Sequence, residues 1–359
     1  MRAPNFALFI LCLTVLNSCS KNSNAEKNNS TQNKSKSYVS GDTVKPRIVT
    51  DSVIYDTDDP AIYFNRESPE SSFIVGTDKN IDGALYAFDL QGKVIDEKVL
   101  RNLQRPNNCD VNYGLRYNST ETDIAIVAER LTHKIRIIKL PEMETIDGDG
   151  IAAFMNDTLE EQRELMGVSS YRDPEGNIQV IIGRKTGPID GRYLQQYQLK
   201  EDSGIVTGKL VREFGIFSGL NEIEAIAVDE ENGFIYYSDE GVGTRKYYAD
   251  PEKGNEELAL FGQGLFSEDN EGIAIYKTSE KQGMIFISDQ AVSKLQVFDR
   301  ITNQHLGEIN YKALETDGIE VINYDFNGKF PGGLLVAMST DKTFHYYSVS
   351  ELLSAMVKI

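Results

Sequence analysis

EAIAVDEENGFIYYSDE, residues Glu224 to Glu240, decides the fold. It begins on an acid and runs through a short apolar stretch, EAIAVD. A polar turn, EENG, follows, and then a second β-rich run, FIYYSD, that ends on acids. Short runs of Val, Ile, Tyr and Phe bounded by Asp, Asn and Gly read as strands and not as helix. The same phrase returns along the chain as DPAIYF, NCDVNY, MGVSSY, EGIAIY and DGIEVI. With EAIAVD these hexads open on Asp59, Asn108, Met166, Glu224, Glu271 and Asp317, at intervals of roughly 46 to 58 residues. That is the period of a β-propeller built from short antiparallel sheets. The sequence therefore predicts an all-β, six-bladed β-propeller occupying residues 44–359 as one closed domain.

The hexads are expected to be the inner strands. The middle strands are FIVGTD, DIAIVAER, IQVIIGRK, FIYYSDE, MIFISDQ and GLLVAMST, and the next strands are LYAFDL, KIRIIKL, YLQQYQL, TRKYYAD, KLQVFDR and TFHYYSV. The β-rich stretch Val44 to Ile54 reads as the strand that closes the ring, since propellers complete the last blade from the opposite chain end and so remove an open edge. One helix is expected, over Asn156 to Met166 (NDTLEEQRELM).

Equivalent positions of successive blades face one channel, so the residues opening the hexads form a ring of acids. Carboxylates held close raise one another's pKa or recruit a cation, and an oxygen-only set suits calcium. Residues ending the middle strands form a second set: Asp78 and Lys79, Glu129 and Arg130, Arg184 and Lys185, Asp239 and Glu240, Asp289 and Gln290, Ser339 and Thr340. The first three blades supply the bases Lys79, Arg130, Arg184 and Lys185. The last three supply Glu224, Glu240, Asp269, Glu271 and Asp317. Guanidinium and ammonium groups opposite an acid-bound cation suit a polyphosphorylated ligand. Taken singly, an Asp in a DG or DD corner caps a turn and a lone Lys or Arg is solvated. Their recurrence at one phase is what favours a site.

A formal net charge of −18 in 359 residues, with no Lys/Arg stripe, argues against nucleic acid as a partner. Three histidines lie on different blades without ligand spacing, so zinc is not expected. No GxSxG elbow or P-loop occurs. At the N-terminus, Arg2, the apolar run Phe6 to Leu16 and then Asn17, Ser18 and Cys19 form a secretory signal of lipoprotein type. Residues 1–19 would be the signal, with Cys19 lipidated and the monomeric domain exported and held to a bacterial membrane by that anchor alone. The alternative is ordinary cleavage to a free secreted protein. Residues 20–43 are Ser-, Asn- and Lys-rich and read as a flexible tether. With Cys12 in the signal and Cys19 lipidated, Cys109 has no disulfide partner.

The segments DTDDPAIYF, GTDKNIDGALYAFDL, RPNNCDVNY, EIEAIAVDEENGFIYYSDEG, SEDNEGIAIY, ISDQ and ETDGIEV resemble the β-propeller, or alkaline, phytase family, from about Asp56 to Val349. The resemblance implies a six-bladed, calcium-dependent enzyme that hydrolyses phosphate monoesters of phytate (myo-inositol hexakisphosphate) without a phosphoenzyme. It further implies that Asp58 and Asp59, joined by Asn108 and Asp110, are ligands of structural and active-site calcium. Glu224, Glu240, Asp269, Glu271, Gln290 and Asp317 match positions lining the catalytic calcium cluster, and Lys79 and Arg130 match phosphate-binding bases. Two departures stand out. Met166 occupies the place of a tyrosine, and GRKTG (Gly183 to Gly187) replaces a Gly-Lys-Glu-Gly loop, so the third blade brings no carboxylate.

The expected chemistry is direct attack of metal-activated water, with Glu224, Glu240 and Glu271 as catalytic acids and Glu224 or Glu240 positioning the water. Lys79, Arg130, Arg184 and Lys185 would neutralise the phosphoryl group. Two rivals remain: a calcium-dependent lactonase-type propeller, which needs no basic half, and a non-catalytic propeller that captures phosphorylated ligands.

Overall fold

Each hexad lies on or leads into the innermost strand of its own antiparallel sheet in the computed structural model, which describes residues 41–359. The expected signal, Cys19 and the tether as far as residue 40 lie outside the described residues. The six inner strands are Thr57–Tyr63, Pro106–Tyr117, Leu165–Arg172, Ile226–Asp229, Asn270–Lys277 and Ile319–Ile322. Each packs beside the next, and the sixth packs beside the first, so the ring is closed.

The predicted middle and third strands form at their expected places, for example Phe234–Asp239 and Gly243–Tyr248. Fourth strands such as Leu100–Leu103, Ile205–Phe214 and His305–Asn310 complete most blades. Sequence patterning did not single these out. They lie at blade edges, where exposed polar residues interrupt the continuous apolar runs that mark buried strands.

Apolar side chains collect at the seams between blades. Ile126, Ile137, Val180 and Ile182 fill the seam of blades two and three. Phe286, Val297, Leu335 and Ala337 fill that of blades five and six. All are completely buried, each larger one contributing about 1.5–3 kcal/mol relative to exposure. Ion pairs bolt some seams too. Arg300, fully buried on blade five, donates to Asp229 (Nε 2.9 Å) and Glu231 (2.6 Å) of blade four.

Closure follows the expected plan. Ile48–Val49 pairs antiparallel with Thr343–Ser348 as the outer strand of blade six, Ile48 opposite Tyr346 and Val49 opposite His345. The bidentate pair of Arg47 with Glu351 (3.1 and 2.6 Å) holds it from the side. At the other chain end, Val357–Lys358 adds a fifth strand to blade five. The expected helix over Asn156 to Met166 is a correction: only a 3₁₀ turn, Glu160–Arg163, forms. Leu165 and Met166 are drawn into the inner strand of blade three, where both are fully buried, and tertiary packing overrides local propensity.

Candidate active site at the channel mouth

The inner strands enter the channel through irregular steps. Register slips fall between Thr57 and Pro60, Pro106 and Cys109, Leu165 and Val168, and Asn270 and Ile273. In blades four and six the regular ladder starts at Ile226 and Ile319. An extra residue in a ladder re-aims side chains, which is why bulges recur beside sites. Counting back two residues from each regular ladder gives the true ring: Asp58, Asn107, Met166, Glu224, Glu271 and Asp317. This corrects the phase expected for blades one and two by one residue, because the DD and NN doublets are indistinguishable by pattern alone.

At the mouth, carboxylate oxygens of Asp58, Glu224 and Asp317 lie within 4.8 Å of one another, and so do those of Glu224, Glu240 and Glu271. Glu224 is common to both groups. Asn107, which sequence patterning passed over, ties two members of the first group together, its Nδ2 donating to Asp58 Oδ2 at 3.0 Å and Glu224 Oε1 at 3.4 Å. Gln290 donates to Asp317 Oδ1 at 2.6 Å, and Asn221 to Asp269 Oδ1 at 2.9 Å. At the mouth Asn107 Oδ1, Glu240 Oε1 and Glu271 Oε2 are buried without a hydrogen-bond partner, and Asp58 Oδ1 meets only the Lys79 ammonium. Buried lone pairs left without donors are costly, and an all-oxygen set with such orphans fits a hard cation.

The acids respond to this crowding. Burial, then the charges of Asp58 and Asp317, drive Glu224 well above the usual carboxylate range, and burial with Glu224 and Glu240 does the same to Glu271. Burial is also the first cause at Glu240, pushed up to about 8, and at Asp317, pushed up to about 6 and beset next by Asp58. For Lys79, burial alone would lower the ammonium's pKa, but Asp58, Glu224 and Asp317 outweigh it and the net shift is upward.

The paired residues ending the middle strands divide their work. The first of each pair ties down the loop that enters its own blade. Asp78 accepts from the backbone N–H groups of Tyr55 (3.0 Å) and Asp56 (2.8 Å), Glu129 from Gln104 (2.7 Å), Asp239 from Ser218 (3.0 Å) and Asp289 from Ser267 (3.0 Å). In blades one to five the second of each pair is set at the mouth. Lys79 contacts Asp58 and reaches Asp317 at 3.4 Å. Arg130, buried, donates to Leu165 O at 3.4 Å and touches the Met166 sulfur. Glu240 Oε2 accepts from the Glu222 N–H at 3.1 Å.

Arg184 is a correction. Its side chain is 1% exposed, pairs with Asp157, donates to Tyr193 O (3.1 Å), Gln162 O (3.0 Å) and Arg192 O (2.9 Å), and lies over the Phe154 ring. Every nitrogen is committed, so Arg184 is a structural bolt that offers nothing to a ligand. Of the two blade-three bases, Lys185 is the one at the mouth, paired with Glu222 at 3.0 Å. Glu222 is a further acid missed in the sequence. Its only signal there is its place two residues ahead of Glu224.

Asp59, Asn108 and Asp110 lie away from the mouth cluster. They line the channel beneath it, a cavity of about 510 Å³ whose wall also carries Glu320. Asp59 Oδ2 accepts from Cys109 N at 2.9 Å, and Asp110 Oδ2 from Ser170 Oγ at 2.6 Å. Burial raises Asp59 well above its ordinary value, Asp110 to about 6 and Glu320 to about 8. Asn108 Oδ1 is buried without a donor. Cys109 is a free, buried thiol.

Fold and site together define a six-bladed propeller whose mouth joins clustered oxygen donors to a few bases. The profile of the Phytase family matches residues 7–350, and the chain belongs to that family. It is similar to the 3-phytase of Bacillus subtilis (strain 168), 28% identical over 312 residues, spanning 82% of this chain and 77% of that protein. Among solved structures, the computationally designed Ika8 protein matches 81% of this chain and 70% of its own at 12% identity and a TM-score of 0.43. The Dos1 propeller matches 82% and 67% at 11% identity and the same TM-score. Those two likenesses add nothing to the architecture that the six sheets define.

Proposed function

We propose that the protein is a calcium-dependent phosphoric monoester hydrolase of the 3-phytase type, acting on phytate. The observation that carries this reading is the pair of carboxylate groups sharing Glu224, set beside Lys79 and Arg130. Family membership and the activity named for the Bacillus relative support it. Asp58, Glu224, Glu240, Glu271 and Asp317, with the amide oxygen of Asn107, are the donors that would hold the cation. Calcium bound there would offset the carboxylate charge, polarise phosphoryl oxygens and acidify water. That offset matters, because a protein of net charge −18 otherwise repels a polyanion.

The chain's own groups do the rest. Arg130 offers a planar fork of donors to phosphate oxygens, and Lys79 and Lys185 offer mobile point charges. Glu224 or Glu240, as the carboxylate, holds a water by accepting its hydrogen and takes its proton as the water oxygen bonds to phosphorus. The bond from phosphorus to the inositol oxygen breaks, that oxygen receives the proton the carboxylate took from water, and orthophosphate and the alcohol leave. No covalent enzyme intermediate is invoked. A lactonase would have no use for Arg130 and Lys185. Export on a lipid anchor at Cys19, as a monomer, completes the proposal.

A second reading has one observation in its favour. Met166 is the only ring member without an oxygen or nitrogen donor, so blade three contributes no ligand and the propeller would capture phosphorylated ligands without turnover. Phosphate release from phytate, measured with calcium and with excess chelator, separates the two. Calcium-dependent release that Glu271→Gln abolishes supports the hydrolase. Chelator-sensitive binding of phytate without release sinks it in favour of capture.

A further inference from the structure

Lys79 is the base whose ammonium sits inside the carboxylate cluster. It contacts Asp58 and lies 3.4 Å from Asp317, with 15% of its side chain exposed. Both acids belong to the group with Glu224 that offers oxygens to a cation. An ammonium held between two carboxylates relieves their repulsion much as a bound metal ion would. The two cations therefore claim the same oxygens.

We propose that Lys79 is a built-in counter-ion that competes with the divalent cation for Asp58 and Asp317, and that cation loading hands its ammonium over to a phosphate of the substrate. The inference rests on the calcium reading above. The backbone permits the exchange, because the Lys79 N–H is anchored to Asp56 O at 2.7 Å while the ammonium rides on a flexible four-carbon stem. Arg130 contrasts with it. Among the described residues Arg130 has no carboxylate within ion-pair distance, donating instead to Leu165 O and touching the Met166 sulfur, so it does not claim the oxygens of Asp58 and Asp317. Lys185 contrasts too, being paired with Glu222, which lies outside both carboxylate groups. Because one side chain serves both ligands, their affinities are linked. A cation frees Lys79 for phosphate, and a phosphate that draws Lys79 away frees Asp58 and Asp317 for the cation, by the same factor.

The test is calorimetric titration of the full-length protein with Ca²⁺ alone, then with inorganic phosphate at zero and at saturating Ca²⁺. Wild type is compared with Lys79→Met, which keeps the stem and removes the charge, and with Lys79→Arg, which keeps the charge. At low ionic strength Lys79→Met should bind Ca²⁺ about tenfold tighter or more, and Lys79→Arg should stay within a few-fold of wild type. The calcium-dependent gain in phosphate affinity should shrink in Lys79→Met. Should methionine not be tolerated, Lys79→Gln carries the same charge loss, and a thermal melt reports folding. Calcium affinity that is unchanged or weaker in a folded, uncharged variant overturns the exchange while leaving the calcium reading standing. Absence of calcium binding by wild type overturns both.

Discussion

The Cβ that Gly167 lacks would lie 2.1 Å from the carbonyl oxygen of Glu224, across the seam between blades three and four. The pattern repeats around the ring. A Cβ on Gly272 would lie 2.7 Å from Asp317 O, and one on Gly318 would lie 2.9 Å from Asp58 O. The residue after each of these ring members thus packs on the backbone of the next ring member, and MG, EG and DG are seam contacts as well as turns. Gly167→Ala should cost about 1–3 kcal/mol and weaken calcium binding by displacing Glu224. Urea denaturation and calcium titration of the same variant check both parts.

Protons and calcium should compete in stabilising the fold. Glu240 and Asp317, raised to about 8 and about 6, hold protons in the folded protein that the unfolded chain has already released. The native state then binds more protons, so stability of the chelated protein falls as pH rises from about 5 to about 8. Saturating calcium should remove that slope. Denaturant midpoints across this range, with and without chelator, measure it. A chelated protein that gains stability over the same range contradicts the assignment.

Adjacent bases of blade three should give opposite phenotypes. Arg184→Met breaks a buried network and should destabilise the protein by roughly 2 kcal/mol or more. Lys185→Ala removes a half-exposed pair and should change stability by less than about 0.5 kcal/mol. If the protein is a phytase, Lys185→Ala raises KM several-fold with kcat little changed. Melting curves and steady-state kinetics of the two variants distinguish them.

Removing residues 41–52 should open the ring. The edge of Thr343–Ser348 would lose Ile48–Val49, and Arg47 would no longer hold Glu351. An unpaired edge invites association, so the truncated protein is expected to melt lower and to form oligomers visible by light scattering. A monomer with the parent melting temperature would remove the closing role from this strand.

Much of this architecture is written in the local pattern. Phe234–Asp239 and its counterparts form where Phe, Tyr, Ile and Val run together between turn residues, because a strand buried on both faces needs apolar side chains on each. Blade number and the place of the closing strand follow from the repeat. Glu224, Glu240, Glu271 and Asp317 were legible as a group because equivalent blade positions share one axis. Phase was not legible in blades one and two. Asp58 and Asp59 differ only by which side of a bulge each occupies, and a bulge depends on the neighbouring strand.

Sequence alone determined the propeller, its six blades, the excess of acid at one phase and the scarcity of carboxylate in blade three, all of them consequences of periodicity and composition. Tertiary structure alone decided which charges meet. It turned Arg184 inward onto Asp157, sent Asp59 and Asp110 down the channel, brought Asn107 and Glu222 to the mouth and set Lys79 between Asp58 and Asp317. The physical reason is range. A strand's alternation is fixed by its own residues, whereas the partner of a buried charge is chosen by chain distant in sequence, 238 positions away in the case of Lys79 and Asp317.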